Sequence, residues 1–193
     1  GARGFAATVG GQEGFQHDFR RGLRFADALG ARHLHVMAGV AEGDAAHRTF
    51  VENLKWATQF AAEKSPARML TIEPINTTDM PGYFLCDFDQ AAAILDEVGA
   101  PNLGLQFDTY HAHKITGDMP ATWAKHGHRA VHIQIADPDG RHEPVAGAID
   151  YPAFFAQLDA EGYAGVVSAE YNPRKSTEAG LKWLKEAKAA MRA

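Results

Sequence analysis

Residues 67–108, ARMLTIEPINTTDMPGYFLCDFDQAAAILDEVGAPNLGLQFD, contain a complete strand–loop–helix–strand unit. ARMLTIEPI (67–75) reads as a strand, and its uninterrupted apolar run MLTI fits a sheet buried on both faces. NTTDMPGYFL (76–85) is a loop of turn residues. DFDQAAAILDEVG (87–99) reads as a helix with Asp87 at its start and Gly99 at its stop. NLGLQFDTYH (102–111) is the next strand. Two buried strands joined through a helix form a parallel pair, because the crossover returns the chain in its original direction. Each of these strands carries a carboxylate late in its run, Glu73 and Asp108.

The same alternation extends outward. Upstream, GFQHDFRRGLRFADALGA (14–31) is an amphipathic helix with Phe15, Phe19, Leu23, Phe25, Ala26 and Leu29 near helical spacing and Gly30 as its stop. HLHVMAG (33–39) is a strand on which His33 and His35 face one side. DAAHRTFVENLKWATQFAAEKS (44–65) is a helix with Asp44 as its cap and Phe50, Leu54, Ala57 and Ala61 on its apolar face. Downstream come a short helix at MPATWAKHG (119–127), a strand at AVHIQIAD (130–137) and a polar loop at 138–149. A helix (150–163), a strand (165–171) and a closing helix (176–193) follow. The order is one helix and then five β–α units, with no linker and no repeat. That order is α/β with a parallel sheet, and the (β/α)8 TIM-barrel type is the architecture that the family resemblance given below implies for it. Five strands do not close a barrel of eight, so on this reading residues 1–193 are one domain lacking the first two or three β/α units.

Composition excludes several classes. The chain has 193 residues, enough for one domain with a real core. Its net charge of −5, with scattered Lys and Arg, argues against a nucleic-acid groove. Cys86 is the single cysteine, which excludes an internal disulfide and fits a reducing cytoplasm. No apolar run reaches the roughly 18 residues of a membrane span. No secretory leader is visible, and the chain begins like the middle of a protein. Trp56, Trp123 and Trp183 belong on helices packed against the sheet. His126, His128 and His132 share no spacing with a Cys or carboxylate and read as packing or surface residues. Glycine fingerprints for dinucleotides, a P-loop and a G-x-S-x-G elbow are all missing.

Four strands end on an oxygen donor: Glu73, Asp108, Gln134 and Glu170. They lie 35, 26 and 36 residues apart, one β–α–β repeat each. Neighbouring parallel strands would bring all four to one rim. Each alone reads equally as a cap or an exposed strand end. Three carboxylates in register repel one another unless a cation compensates them. Carboxylates and an amide oxygen suit a hard divalent ion, Mg2+ or Mn2+ (magnesium or manganese).

The segments IEPIN, QFDTYH, HIQIAD, GYAGVVSAEYNP and STEAGLKWL, in that order, resemble the hydroxypyruvate isomerase family, with its related 2-oxo-tetronate isomerases, among the xylose isomerase-like TIM barrels. The likeness runs from GARGFAA to the closing helix. It implies a metal-dependent interconversion of an α-hydroxy aldehyde and an α-hydroxy ketone, with hydroxypyruvate converted to 2-hydroxy-3-oxopropanoate (tartronate semialdehyde) as the expected reaction. By that resemblance Glu73, Asp108, Gln134 and Glu170 are the metal ligands, and Glu73 and Glu170 the catalytic pair. A bound metal polarises the carbonyl, and one glutamate removes a proton that the other returns across a cis-enediolate. Related sugar epimerases usually carry His where Gln134 stands. A neutral amide oxygen there favours the hard ions.

His111, just past Asp108, resembles the family's active-site histidine. Arg141 and Glu143 lie in RHEPVAG, similar to a family loop R-G-E-P-G. His142 stands in place of its glycine, a departure that bears on the backbone path wherever glycine serves a φ > 0 position. Arg141 suits a substrate carboxylate, and Lys114 is a second candidate for that role. The expected partner is a small molecule, with no nucleic acid and no membrane. An open sheet edge makes a homo-oligomer an expectation that no motif carries. Three alternatives compete: a ketose 3-epimerase on the same barrel, a barrel too truncated to turn over, and phosphodiester cleavage at abasic sites. The acidic charge and the lack of three His ligands weigh against the last. At most weak activity is expected of a chain without its opening strands.

Overall fold

Alternating apolar runs and helices give five parallel strands in one sheet, β1 (His33–His35), β2 (Met69–Ile72), β3 (Leu103–Asp108), β4 (Ala130–Ile135) and β5 (Val167–Ala169), each paired with the next in sequence. The structure, a computed structural model, describes residues 3–145 and 147–190. Gly1 and Ala2 of GARGFAA, Ala146 of RHEPVAG and the last three residues of the expected closing helix lie outside the described residues. The helices are α1 (Gln12–Ala28), α2 (Gly43–Lys64), α3 (Phe88–Val98), α4 (Thr109–Thr116), α5 (Met119–His126), α6 (Tyr151–Ala160), α7 (Thr177–Gly180) and α8 (Lys182–Ala190). Among the described residues no helix is long and apolar enough to cross a membrane.

The sheet curls. Strands β1 and β4 are separated by two others, roughly 14 Å in a flat sheet at about 4.8 Å per strand. Yet the rings of His33 and His132 lie 5.2 Å apart. Both therefore project from a concave face, shared by every second residue: Thr71, Gln106, Asp108, Gln134 and Ser168. The convex face carries Leu70, Ile72, Leu105, Phe107, Ile133 and Ile135, all buried against the helices. The expectation of a sheet buried on both faces holds for β3, which is buried along its whole length although its inner side chains are polar, while β5 is only partly buried. Burial on both faces does not require apolar residues on both.

One irregularity sets which face Gln134 occupies. Leu105 pairs with Ala130, but Gln106 pairs with His132, so Val131 is an extra residue in β4. Without this bulge Asp108 would pair with Ile133, and Gln134 would face the helices. Gly104 makes room for it: a Cβ there would lie 2.5 Å from the Val131 side chain.

Local signals explain most boundaries and some misses. Asp87 accepts from the Gln90 N–H at 2.7 Å, and Gly99 ends α3 at φ 62°. Asp44 is not the cap of α2; Glu42 precedes the helix without a side-chain cap bond, and Asp44 sits in the first turn. The expected strand 102–111 stops at Asp108 because that carboxylate accepts the Tyr110 N–H at 2.8 Å and starts α4 directly. No turn residue separates strand from helix, so nothing in the sequence marks the change. The closing helix is broken at Leu181 into α7 and α8. Trp123 is buried edge-on against Phe107, as expected of a helix tryptophan.

Candidate active site

The concave face opens at the C-terminal ends of the strands into a cleft of about 280 Å³, lined by His35, Glu73, Gln106, His111, Gln134, Arg141 and Glu170 among others. Glu73 lies one residue past β2, ahead of Pro74, and is buried. Its Oε2 accepts from Gln106 Nε2 at 3.0 Å and lies 3.6 Å from His35 Nδ1. Its Oε1 is buried without a hydrogen-bond partner. Burial, then the charges of Asp108 and Glu170, raises the Glu73 carboxyl well above the usual carboxylate range.

Asp108 closes β3 and is buried as well. While Oδ1 caps α4, Oδ2 accepts from Arg141 Nη2 at 3.2 Å. Burial outweighs the nearby guanidinium and pushes this carboxyl up to about 7. Glu170 follows β5 and its Oε2 accepts from the same Arg141 nitrogen at 2.8 Å. Arg141 thus bridges two of the four strand-end donors, with its guanidinium 4.8 Å from the centre of the Tyr110 ring. The left-handed residues of its loop are Gly140 (φ 71°) and Arg141 (φ 53°). His142 instead joins an antiparallel bridge with Asp137, so the missing glycine at 142 leaves no strain there.

His111 shows what its ring can do. Its Nδ1 lies 3.2 Å from the Asn76 backbone N–H, a donor that cannot reverse, and 2.8 Å from Asn76 Nδ2. Nδ1 is therefore an acceptor, and the neutral ring carries its proton on Nε2. That nitrogen faces Asp108 Oδ2 at 3.7 Å. Burial, then Arg141, lowers the imidazole to about 3, so it stays neutral. Glu73, Asp108 and His111 place ligand atoms within 4.8 Å of one another. The tautomer makes His111 a donor toward the cleft rather than a ligand.

Two expected substrate residues are not brought into the cleft. Glu143 accepts the backbone N–H of Arg174 at 3.0 Å and packs against Gly180, tying its own loop to the segment after β5. Lys114 is exposed, 5.8 Å from the Tyr110 ring centre. Sequence reasoning missed Gln106, Asn76, Asp79 and Tyr110. Tyr110 donates to Asp79 at 2.7 Å, and Asn76 holds Asp79 in turn. Gln106 was findable: it lies two residues before Asp108 and so shares its face. His35 lines the cleft, whereas His132 is held below it at 2.9 Å from the Ser168 hydroxyl.

The donor set fits a hard divalent cation. Three carboxylates and an amide oxygen converge, one buried carboxylate oxygen has no partner, and a guanidinium already bridges two of the others. The chain also matches the family model described as xylose isomerase-like TIM barrel over residues 9–187. The chain belongs to that family. 2-Oxo-tetronate isomerase of Cupriavidus necator is 43% identical over 189 residues, covering 96% of this chain and 72% of that protein. Hydroxypyruvate isomerase of Escherichia coli is 36% identical over 188 residues, covering 95% and 72%. A solved structure named as AP endonuclease, family 2 from Brucella melitensis superposes with a TM-score of 0.89 at 39% identity, covering 95% of this chain and 71% of that one. An E. coli 3-keto-D-glucoside 4-epimerase shares the fold at a TM-score of 0.76 and 20% identity. This xylose isomerase-like barrel chain is an isomerase of the hydroxypyruvate isomerase type.

Proposed function

We propose that the chain interconverts hydroxypyruvate and 2-hydroxy-3-oxopropanoate, or a close 2-oxo acid pair, with the help of Mg2+ or Mn2+. The observation that carries this is the buried, unpartnered Oε1 of Glu73 beside a cluster suited to a cation. Glu73, Asp108, Gln134 and Glu170 would hold the ion, which when bound supplies polarisation of the substrate carbonyl and adjacent hydroxyl. In the forward direction a proton leaves C3, the hydroxymethyl carbon, and returns to C2, while the O3 hydroxyl proton passes to O2. The atoms balance with no co-reactant, through a cis-enediolate. Glu73 and Glu170 take and return the carbon-bound proton. His111, held as the Nε2–H tautomer, donates to a substrate oxygen. Arg141 receives the carboxylate by its planar fork.

On this reading the five strands are one domain's share of an eight-stranded barrel, the partner is a small molecule and the location is cytoplasmic. Arg141→Ala separates the acid substrate from the neutral sugar of a ketose 3-epimerase. The expected result is a rise of about 10- to 100-fold in KM for hydroxypyruvate and little change with ketoses. An equal loss on both would sink the carboxylate role. A second reading has one observation behind it, the name of the Brucella structure. Cleavage at abasic sites needs a surface that tracks phosphates, and the net charge here is −5. The expected outcome is no nicking of abasic-site DNA at low salt.

A further inference from the structure

We infer that Gln106, backed by Thr71, is a positioning residue that decides which end of the Gln134 amide, and which oxygen of Glu73, is presented to the cation site. The inference rests on the metal reading above. Gln106 is buried in β3, and both ends of its amide are engaged. Its Oε1 accepts from Thr71 Oγ1 at 3.1 Å. Its Nε2 donates to Glu73 Oε2 at 3.0 Å and to Gln134 Oε1 at 2.7 Å.

The direction of this chain follows from the chemistry of its members. A carboxylate that holds a cation is ionised and only accepts, so in the loaded site Glu73 requires the NH2 end of Gln106, the arrangement already present here. The reversed amide would set a carbonyl oxygen against a buried carboxylate. With the NH2 end fixed, its second N–H requires the oxygen of Gln134, not the nitrogen. Thr71 closes the arrangement from behind by giving the Gln106 carbonyl its donor. Glu73 Oε2 and Gln134 Oε1 are therefore one hydrogen bond from the same nitrogen, and both amide and carboxylate turn oxygen toward the cleft. A glutamine alone could present nitrogen, which a hard cation does not bind. Tying down Oε2 also leaves Oε1 as the free atom of Glu73.

A double-mutant cycle read by Mn2+ binding tests this. Calorimetry and electron paramagnetic resonance would be run on the full chain and on Gln106→Met, Gln134→Met and the pair together, with melting temperature followed in each. Loss of such outer partners costs about 10-fold or more in metal affinity. Each single variant is expected to weaken Mn2+ by about 10-fold and to alter the Mn2+ spectrum, with the double variant losing well under the product of the two, because part of the Gln106 effect runs through Gln134 and the rest through Glu73. Thr71→Val should shift affinity in the same direction by less, and it serves if Gln106→Met fails to fold. Multiplied losses in the double variant, near 100-fold, would mean independent roles and overturn the coupling. Wild-type affinity in Gln106→Met, or in Thr71→Val should it stand in, beside weak binding in Asp108→Asn, overturns the inference but spares the metal reading. A wild-type chain that binds no Mn2+ ends both.

Discussion

Glu73 and Glu170 each lie one residue beyond a strand, yet their surroundings are opposite. The Glu73 side chain is 6% exposed, with one oxygen tied to an amide and the other to nothing. The Glu170 side chain is 52% exposed and paired with Arg141. Burial pushes the first toward its protonated form, while the second meets a cation at 2.8 Å. Pairs of carboxylates with contrasting environments are how one site supplies both a proton donor and a proton acceptor near neutrality. The family resemblance treats the two as equivalent, and the geometry does not.

The largest expected effect is on turnover. Glu73→Gln should lower kcat for hydroxypyruvate by about 10³-fold with little change in KM, the loss of a positioned proton-transfer group. Glu170→Gln should also lose turnover. Near-normal kcat in Glu73→Gln would remove Glu73 from the chemistry and dissolve the contrast.

Next in size is a packing test of the side that holds Glu73. Gly104→Ala sets a methyl group 2.5 Å from the Val131 side chain, and overpacking of this kind costs about 1–3 kcal/mol. Chemical denaturation would show it, together with weaker Mn2+ binding as β4 shifts. An unchanged midpoint would mean that the bulge has freedom the geometry does not show.

A third test uses pH on the metal-free protein. The Glu73 carboxyl is raised and Asp108 stands at about 7, so the folded state holds protons that an unfolded chain releases near pH 4. Their contribution is complete below about pH 4 and is lost as pH rises toward and past 7. Glu73→Gln removes its share of that loss. Its melting temperature relative to wild type should therefore climb between pH 4 and pH 8. Glu170→Gln instead forfeits a half-exposed ion pair, a loss of about 0.5 kcal/mol. Parallel melting curves for Glu73→Gln and wild type across pH would refute the buried-carboxylate account.

The smallest effect is expected at Lys114. Its ammonium lies outside the cleft, so Lys114→Ala should leave kcat/KM within about twofold. A larger loss for acid substrates would return it to the carboxylate role and weaken the assignment to Arg141.

What could be read from the chain depended on distance in sequence. The unit from Met69 to Asp108 was legible because its signals are local: an apolar run, Asp87 before a helix, Gly99 after it. The strand-end donors were legible from their spacing. Helix α4 was not, because Asp108 serves as strand end, helix cap and site residue together. Gln106 was passed over since its meaning lies in Thr71, Glu73 and Gln134, on two other strands. Glu143 drew attention by sitting beside Arg141, yet its carboxylate holds a segment 31 residues away.

The extra residue Val131 has a further consequence. Along a strand, odd and even positions belong to different worlds, and β4 changes parity at that point. A β4 straightened with Val131 kept in line would hand the cleft to Val131 and Ile133 and push His132 and Gln134 against the helices. No single substitution reverses such an exchange, since every position downstream is wrong at once. Loss of Val131 itself would leave His132 and Gln134 opposite Gln106 and Asp108 in a regular strand, whereas loss of Ile133 would turn Gln134 away from the cleft.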